Sequence, residues 1–269
     1  MITARSVADA RAAIAPARVE HRRIGLVPTM GAFHDGHLAL MRAARAESDF
    51  VVVSLFVNPT QFGPSEDLAR YPRDEVRDGR VAEAAGVDLL FVPGVEEMYP
   101  AGFQTWVEPE QLGATLEGEV RPGHFRGVAT ICLKLFNFVQ PSRAYFGQKD
   151  AQQTAVVRRL VRDLDLSIEV RVVPTVRDAD GLALSSRNAY LTDEQRARSL
   201  ALPRALQAGL ATFRRGGDPV AAACELLVGL DVDYVALADF DGPTLAAAVR
   251  IGQTRLIDNV RLEEEAPES

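Results

Sequence analysis

For its first two thirds the chain alternates short apolar runs with stretches whose apolar residues recur every three or four positions. Residues 24–27 and 50–57 are apolar at nearly every position, the pattern of central parallel strands covered on both faces. Residues 88–92, 144–147 and 168–174 read as further strands. Residues 38–45, 75–85 and 150–164 read as helices, and in the last of these Val156, Val157, Leu160, Val161 and Leu164 share one face. Val128, Ile131, Cys132, Leu135 and Val139 mark another helix, and residues 6–14 a short one ahead of the first strand. Strands and helices in alternation predict an α/β fold with a parallel sheet.

The pattern changes near Thr175. Asp178-Ala179-Asp180-Gly181 reads as a turn. Thr192 with Gln195 forms a capping box for a helix to about Arg214, in which Pro203 should make a kink. Asp218-Pro219 is an N-cap and first-turn pair for a helix to about Leu230. Strand-like runs follow at 233–238, 246–251 and 254–257, and Glu263-Glu264-Glu265 reads as a solvated tail. Helices followed by strands predict a smaller α+β domain, so the expected division is 1–175 and 176–269. There is no internal repeat.

Composition narrows the picture. The chain has 269 residues, 47% hydrophobic and 25% charged, enough for a large core. A net charge of −7 argues against nucleic-acid or membrane-surface partners, so an anionic substrate would need a local cluster of positive groups. The two cysteines, Cys132 and Cys224, lie among apolar residues and suggest neither a disulfide framework nor a metal site. A reducing, cytoplasmic setting is expected. The N-terminal stretch lacks the apolar core of a signal peptide, and the longest apolar run is too short to span a bilayer.

The candidate chemistry lies where strands give way to helices. Val27-Pro28-Thr29-Met30-Gly31-Ala32-Phe33-His34-Asp35-Gly36-His37 joins the first apolar run to the next helix. Open α/β sheets bind phosphate at such a turn, with free helix N–H groups and a partial positive charge. Gly31 and Gly36 let backbone approach a ligand, and His34 and His37 add N–H donors. Asn58 and Gln61 follow the second strand. They suit a hydroxyl-bearing substrate, or they satisfy their own loop. Lys149 at a helix start opposes the dipole unless an anion sits there. Ser185, Ser186 and Arg187 offer two hydroxyls and a forked cation. Arg121 and His124 either reach a substrate or serve the next helix, which His124 could cap.

Pro-Thr-Met-Gly-x-x-His-x-Gly-His at 28–37 resembles the signature of the nucleotidyltransferase superfamily. In this wording it is similar to the pantoate–β-alanine ligase family. Asn-Pro-x-Gln-Phe at 58–62, Tyr71-Pro72-Arg73, Glu117-Gly118, the run 121–128, Gly147-x-Lys149-Asp150 and Asp180-Gly181-Leu182-x-Leu184-Ser185-Ser186-Arg187-Asn188 follow in the family's order. The resemblance spans about residues 22–262. It implies a Rossmann-like nucleotidyltransferase domain followed by a smaller α+β lid domain. It also implies ATP-dependent joining of pantoate to β-alanine through pantoyl adenylate, with release of AMP and pyrophosphate.

By the same resemblance, ATP would meet Pro28, Thr29, Met30, His34, Gly36, His37, Phe146, Gly147, Lys149, Asp150, Val176, Leu184, Ser185, Ser186 and Arg187. Pantoate would meet Met30, Asn58, Gln61 and Gln153. His34, His37, Lys149, Ser185, Ser186 and Arg187 would do the catalytic work, with Asp78 toward Mg²⁺. ATP is then a substrate accompanied by Mg²⁺, no tightly bound organic cofactor is expected, and the assembly is a homodimer. The chain departs from the family at Thr60 (usually Met), Gln148 (Glu), Ala151 (aromatic) and Arg77 (acidic). The connection near 242–245 is also shorter, as expected of a trimmed surface loop. Two alternatives are a nucleotidyltransferase that stops after transferring a nucleotidyl group to a phosphate, and a catalytically dead nucleotide-binding paralogue.

Overall fold

The two apolar runs form the middle of a six-stranded parallel sheet. A computed structural model describes residues 1–64 and 66–262. Its first part runs β1 (Ile2–Ala4), α1 (Val7–Val19), β2 (Ile24–Thr29), α2 (Asp35–Glu47), β3 (Phe50–Leu55), α3 (Glu75–Ala84), β4 (Leu89–Phe91), α4 (Val95–Met98), α5 (Glu117–Val120), α6 (His124–Val139), β5 (Arg143–Gly147), α7 (Ala151–Asp163) and β6 (Glu169–Val173). The strand order is β1-β4-β3-β2-β5-β6, and every pairing is parallel. The α/β fold expected from the alternation is the one observed.

Period-two alternation divides the sheet's side chains between two cores. Leu26 and Val52 point to the side covered by α1 and α6, with Ile14, Val128 and Phe136. Val27, Val51 and Val53 point to the side covered by α2 and α3, with Met41, Ala44 and Ala82. A strand buried on both faces has no polar alternation to show, hence the unbroken runs. The short edge strand β1 has no counterpart in the sequence reading. Three residues carry too little pattern, and what defines them is their pairing with Leu89–Phe91.

The second part runs α8 (Asp193–Ser199), α9 (Ala201–Arg214), α10 (Pro219–Leu226), β7 (Asp231–Asp239), β8 (Pro243–Ile251) and β9 (Thr254–Arg261). The strands form an antiparallel sheet in the order β7-β8-β9, over a core that includes Leu202, Leu206, Leu245, Val249 and Leu256. The Thr192–Gln195 capping box is present. The helix after it is broken at Leu200 rather than kinked. Pro203 then falls in the first turn of α9, where its missing N–H would have had no helical acceptor. Asp218 caps α10 through Val220 and Ala221, and α10 ends at Leu226, short of Leu230. Residues 240–242 make the whole β7–β8 turn, where a trimmed connection was expected. Cys132 is buried, but Cys224 is exposed despite its apolar neighbours in sequence.

The chain divides into two compact units, residues 1–147 with 152–173, and residues 148–151 with 174–269. The segment 148–151, carrying Lys149, therefore goes with the smaller unit, although it lies between β5 and α7 in sequence. Glu263-Glu264-Glu265 falls outside the described residues. No helix among the described residues is long and apolar enough to cross a membrane.

Candidate active site

In the larger unit the strand order places β2 between β3 and β5. The chain winds outward from β2 through β3 to β4, then returns to β5 on the other side. The carboxyl ends of β2 and β5 thus flank the switch point at which open α/β sheets hold ligands. Pro28 and Thr29 close β2, with Met30 next, and Phe146 and Gly147 close β5. The Phe146 side chain is buried in the core, so its backbone is what it can offer a ligand. The Thr29 hydroxyl is used within the sheet, donating to the Ser54 carbonyl at 2.5 Å.

The histidine turn caps its own helix. His34 is the N-cap of α2, and its Nδ1 accepts the Gly36 N–H at 3.1 Å. His37 Nδ1 accepts the His34 N–H at 3.3 Å. In a neutral imidazole that accepts at Nδ1, the proton is on Nε2, so each ring carries its donor there. The rings lie 4.2 Å apart, centroid to centroid. Gly36 is required by this packing, because a Cβ there would come within 2.9 Å of the His34 ring.

Asp78 anchors the turn from α3. It is fully buried, and its carboxylate accepts the N–H groups of Ala32 at 2.7 Å and Phe33 at 2.9 Å. Asp78, expected to face Mg²⁺, is thus placed in the interior, with one backbone amide on each carboxylate oxygen. Among the described residues no group of three or more His, Cys, Asp or Glu could hold a metal.

Beyond β3, Asn58 is also buried. Its Nδ2 donates to Gln61 Oε1 and to the Gly127 carbonyl, each at 3.1 Å. Its Oδ1 accepts from the Thr60 amide and hydroxyl and from the Tyr99 hydroxyl. At 1% exposure it has no capacity left for a substrate, and it braces Gln61 instead. Gln61 points its Nε2 at Met30 Sδ, 3.1 Å away, which brings together two of the expected pantoate residues. Gly127 lets α6 press on this loop, since a Cβ there would lie 2.5 Å from the Thr60 carbonyl oxygen.

A network that sequence reasoning did not foresee holds Gln61 from below. His124 Nδ1–H donates to the Gln61 carbonyl at 2.8 Å, and the Arg121 guanidinium lies 3.2 Å from His124 Nε2. Arg121 also grips Glu66 through two hydrogen bonds of 2.7 and 2.6 Å. Burial, then the adjacent Arg121 charge, push the His124 pKa down to about 4. His124 is therefore neutral, with its proton on Nδ1. It is not the N-cap of α6, which is Gly123. On α7, Gln152 is buried and donates to the carbonyls of Leu112 and Thr115. Gln153 beside it is half-buried.

In the smaller unit, Lys149 lies in a short 3₁₀ turn, its Nζ 3.7 Å from Asp150 Oδ1. Val176 and Leu184 face each other across a narrow hairpin, the Leu184 N–H donating to the Val176 carbonyl at 3.0 Å. Ser185 caps the 3₁₀ turn Ser186–Tyr190, its hydroxyl accepting the Arg187 N–H. Arg196 holds Asp178 and Asp180 from α8, each at 2.7 Å.

The family model for pantoate–β-alanine ligase matches residues 2–261. The chain belongs to the pantoate–β-alanine ligase family. It is 54% identical to the pantothenate synthetase of Moorella thermoacetica, over 96% of this chain and 97% of that protein. The pantothenate synthetase of Roseiflexus castenholzii is 55% identical, over 90% and 94%. The crystal structure of pantothenate synthetase from Thermus thermophilus superposes with a TM-score of 0.93 at 50% identity, covering 98% of this chain and all of that one. The Francisella tularensis pantoate–β-alanine ligase, crystallised with a β,γ-ATP compound and β-alanine, gives 0.86 at 34% identity, with 98% of each chain covered. Membership makes the chain a carbon–nitrogen ligase.

Proposed function

We propose that the chain condenses pantoate with β-alanine in two steps at the expense of ATP. A carboxylate is inert toward an amine at neutral pH because its oxygen leaves poorly. Attack of the pantoate carboxylate on the α-phosphorus of ATP forms a phosphorus–oxygen bond and expels pyrophosphate. The resulting pantoyl adenylate is a mixed anhydride. The amine of β-alanine then attacks its acyl carbon, AMP leaves, and the amine's surplus proton passes to solvent. Alignment and stabilisation of charge on the leaving group suffice, with no covalent enzyme intermediate.

In this reading His34 and His37 offer Nε2–H donors to the phosphates beside the backbone of Pro28, Thr29, Met30, Gly36, Phe146 and Gly147. Gln61, Gln153 and Met30 receive pantoate. Lys149, Asp150, Val176, Leu184, Ser185, Ser186 and Arg187 are assigned to ATP by likeness to the family. Magnesium would arrive with the triphosphate as part of the substrate, keeping most of its waters. A cytoplasmic homodimer is part of the same proposal by likeness to the family.

The observation that carries the reading is the convergence of the histidine turn, Met30 and Gln61 at the carboxyl ends of β2 and β3, beside the switch point. The test is isotope exchange between ATP and pyrophosphate. Exchange should require pantoate and proceed without β-alanine. Exchange that needed β-alanine would refute the two-step order.

A further inference from the structure

Asp258 and Asn259 on β9 belong to none of the motifs above, yet each fastens one of the segments assigned to the nucleotide. Asn259 is 4% exposed. Its Nδ2 donates to the carbonyls of Gln148 and Lys149, both at 2.9 Å, and its Oδ1 accepts from Gln148 Nε2 at 3.0 Å. The two carbonyls can only accept, so the amide has one orientation consistent with all three bonds. Asp258 is 2% exposed and takes the Arg177 guanidinium through bonds of 2.6 and 3.0 Å, while Arg177 also donates to the Gly181 carbonyl. Arg177 lies in the Val176–Leu184 hairpin, which leads directly into Ser185-Ser186-Arg187.

Neighbouring residues of a strand point to opposite faces. One dipeptide of an edge strand thus holds the 148–150 turn from one face and the 176–184 hairpin from the other. β9 is itself registered on β8, with Asp258 opposite Ala247 and Asn259 opposite Ala246. The two segments, distant in sequence, share a single support.

The geometry points to Asp258 and Asn259 as positioning residues that set the spacing of Lys149 and the Ser185–Arg187 loop for the nucleotide's phosphates. Neither touches substrate, and both act through the backbone they hold. This inference rests on the proposed assignment of Lys149 to ATP. Loss of Asn259 leaves two carbonyls without their donor and lets the Lys149 turn drift. A guanidinium bonded twice to a buried carboxylate fixes direction as well as distance, so loss of Asp258 frees the hairpin's angle.

The test is a double-mutant cycle on the full chain, read in steady-state kinetics with each substrate varied. Asn259→Ala should raise KM for ATP about tenfold, equivalent to about 1.4 kcal/mol, with KM for pantoate within twofold of wild type. Lys149→Ala should do the same or more, and the double variant should be no worse than Lys149→Ala. Additive losses, or an equal rise in both KM values, would overturn the inference and leave Asn259 as a general support of the fold. If Lys149→Ala leaves KM for ATP unchanged, the nucleotide assignment of Lys149 has failed, an outcome distinct from additivity. Thermal unfolding of each variant accompanies the kinetics. Should Asn259→Ala not fold, Asn259→Asp, of equal size but facing two carbonyl oxygens with an acceptor, is read by the same criteria.

Discussion

The histidine turn and the Lys149 turn are both assigned to phosphates, but they are held in opposite ways. His34 and His37 bond within four residues of themselves, and distant support comes from the Asp78 carboxylate, which holds the backbone just upstream. The backbone carbonyls of the Lys149 turn accept from Asn259, 110 residues away in sequence from Lys149. A self-capped turn takes part of its shape from its own residues. A turn hung on another strand keeps its shape only while that strand is in place. Variants on either side should therefore differ in what they disturb.

The largest effect is expected at the self-held turn. In the proposed mechanism His37 stabilises charge gathering on departing pyrophosphate, so His37→Ala should act on the transition state of the first step. Loss of one such donor typically costs on the order of 10²–10³ in rate, about 3–4 kcal/mol. The second step releases no pyrophosphate and should lose far less. Single-turnover kinetics of adenylate formation, and of β-alanine attack on pre-made pantoyl adenylate, separate the two. A fall by the same large factor in both would mean that the ring holds the turn together rather than serving the phosphate.

Asp78 probes the distant support that the histidine turn does have. Asp78→Ala leaves the Ala32 and Phe33 amides without acceptors, at roughly 1–3 kcal/mol each. Denaturant unfolding should report that loss of stability. The Mg²⁺ concentration for half-maximal activity should not change, because the carboxylate is engaged by the backbone. A large rise in that concentration, with stability intact, would return Asp78 to the metal.

His124 extends the comparison to a support that depends on pH. Its folded pKa, about 4, lies below the ordinary histidine value near 6.5. The fold favours the neutral ring, so its contribution is whole above pH 6.5, declines as pH falls, and is gone below about 4. The shift corresponds to stability on the order of 3 kcal/mol. Wild type should lose that much more between pH 7 and 4 than His124→Asn, which keeps an N–H donor near the Nδ1 position but does not titrate. Parallel stability curves for the two proteins would show that His124 is not held neutral.

What could be read from the sequence follows the same division. Strands buried on both faces, helix faces and caps such as Thr192–Gln195 are written in neighbouring residues, and they appeared where expected. The bonds by which the histidine turn caps its own helix also lie inside the motif, although its residue types alone did not announce them. In the sequence, the Asp78 carboxylate and the Asn58 amide look equally suited to a ligand or to distant backbone. Only three-dimensional placement shows that both are buried and bonded to backbone and neighbouring side chains. The Arg121–His124–Gln61 network and the Asp258–Asn259 pair span tens of residues to more than a hundred. No local pattern distinguishes their members from other polar residues.

The smallest effect concerns Gln148, one of the departures from the family's wording. Its side chain makes one of the three bonds between its turn and Asn259, donating from Nε2 to Oδ1. The other two run from Asn259 to backbone carbonyls and do not depend on what residue 148 carries. Gln148→Glu removes that single donor and places a carboxylate near an amide oxygen, while Lys149 keeps its charge and its backbone support. One neutral hydrogen bond at a half-buried position is worth roughly 0.5–1.5 kcal/mol, and relaxation of a long side chain should recover part of it. The expected result is a change in kcat of less than about threefold and a KM for ATP raised by a similar factor at most. Steady-state kinetics of the single variant measures both. A hundredfold gain in kcat would mean that glutamine at 148 had impaired the enzyme. A hundredfold loss would mean that the side-chain bond, rather than the two backbone bonds, is what holds Lys149.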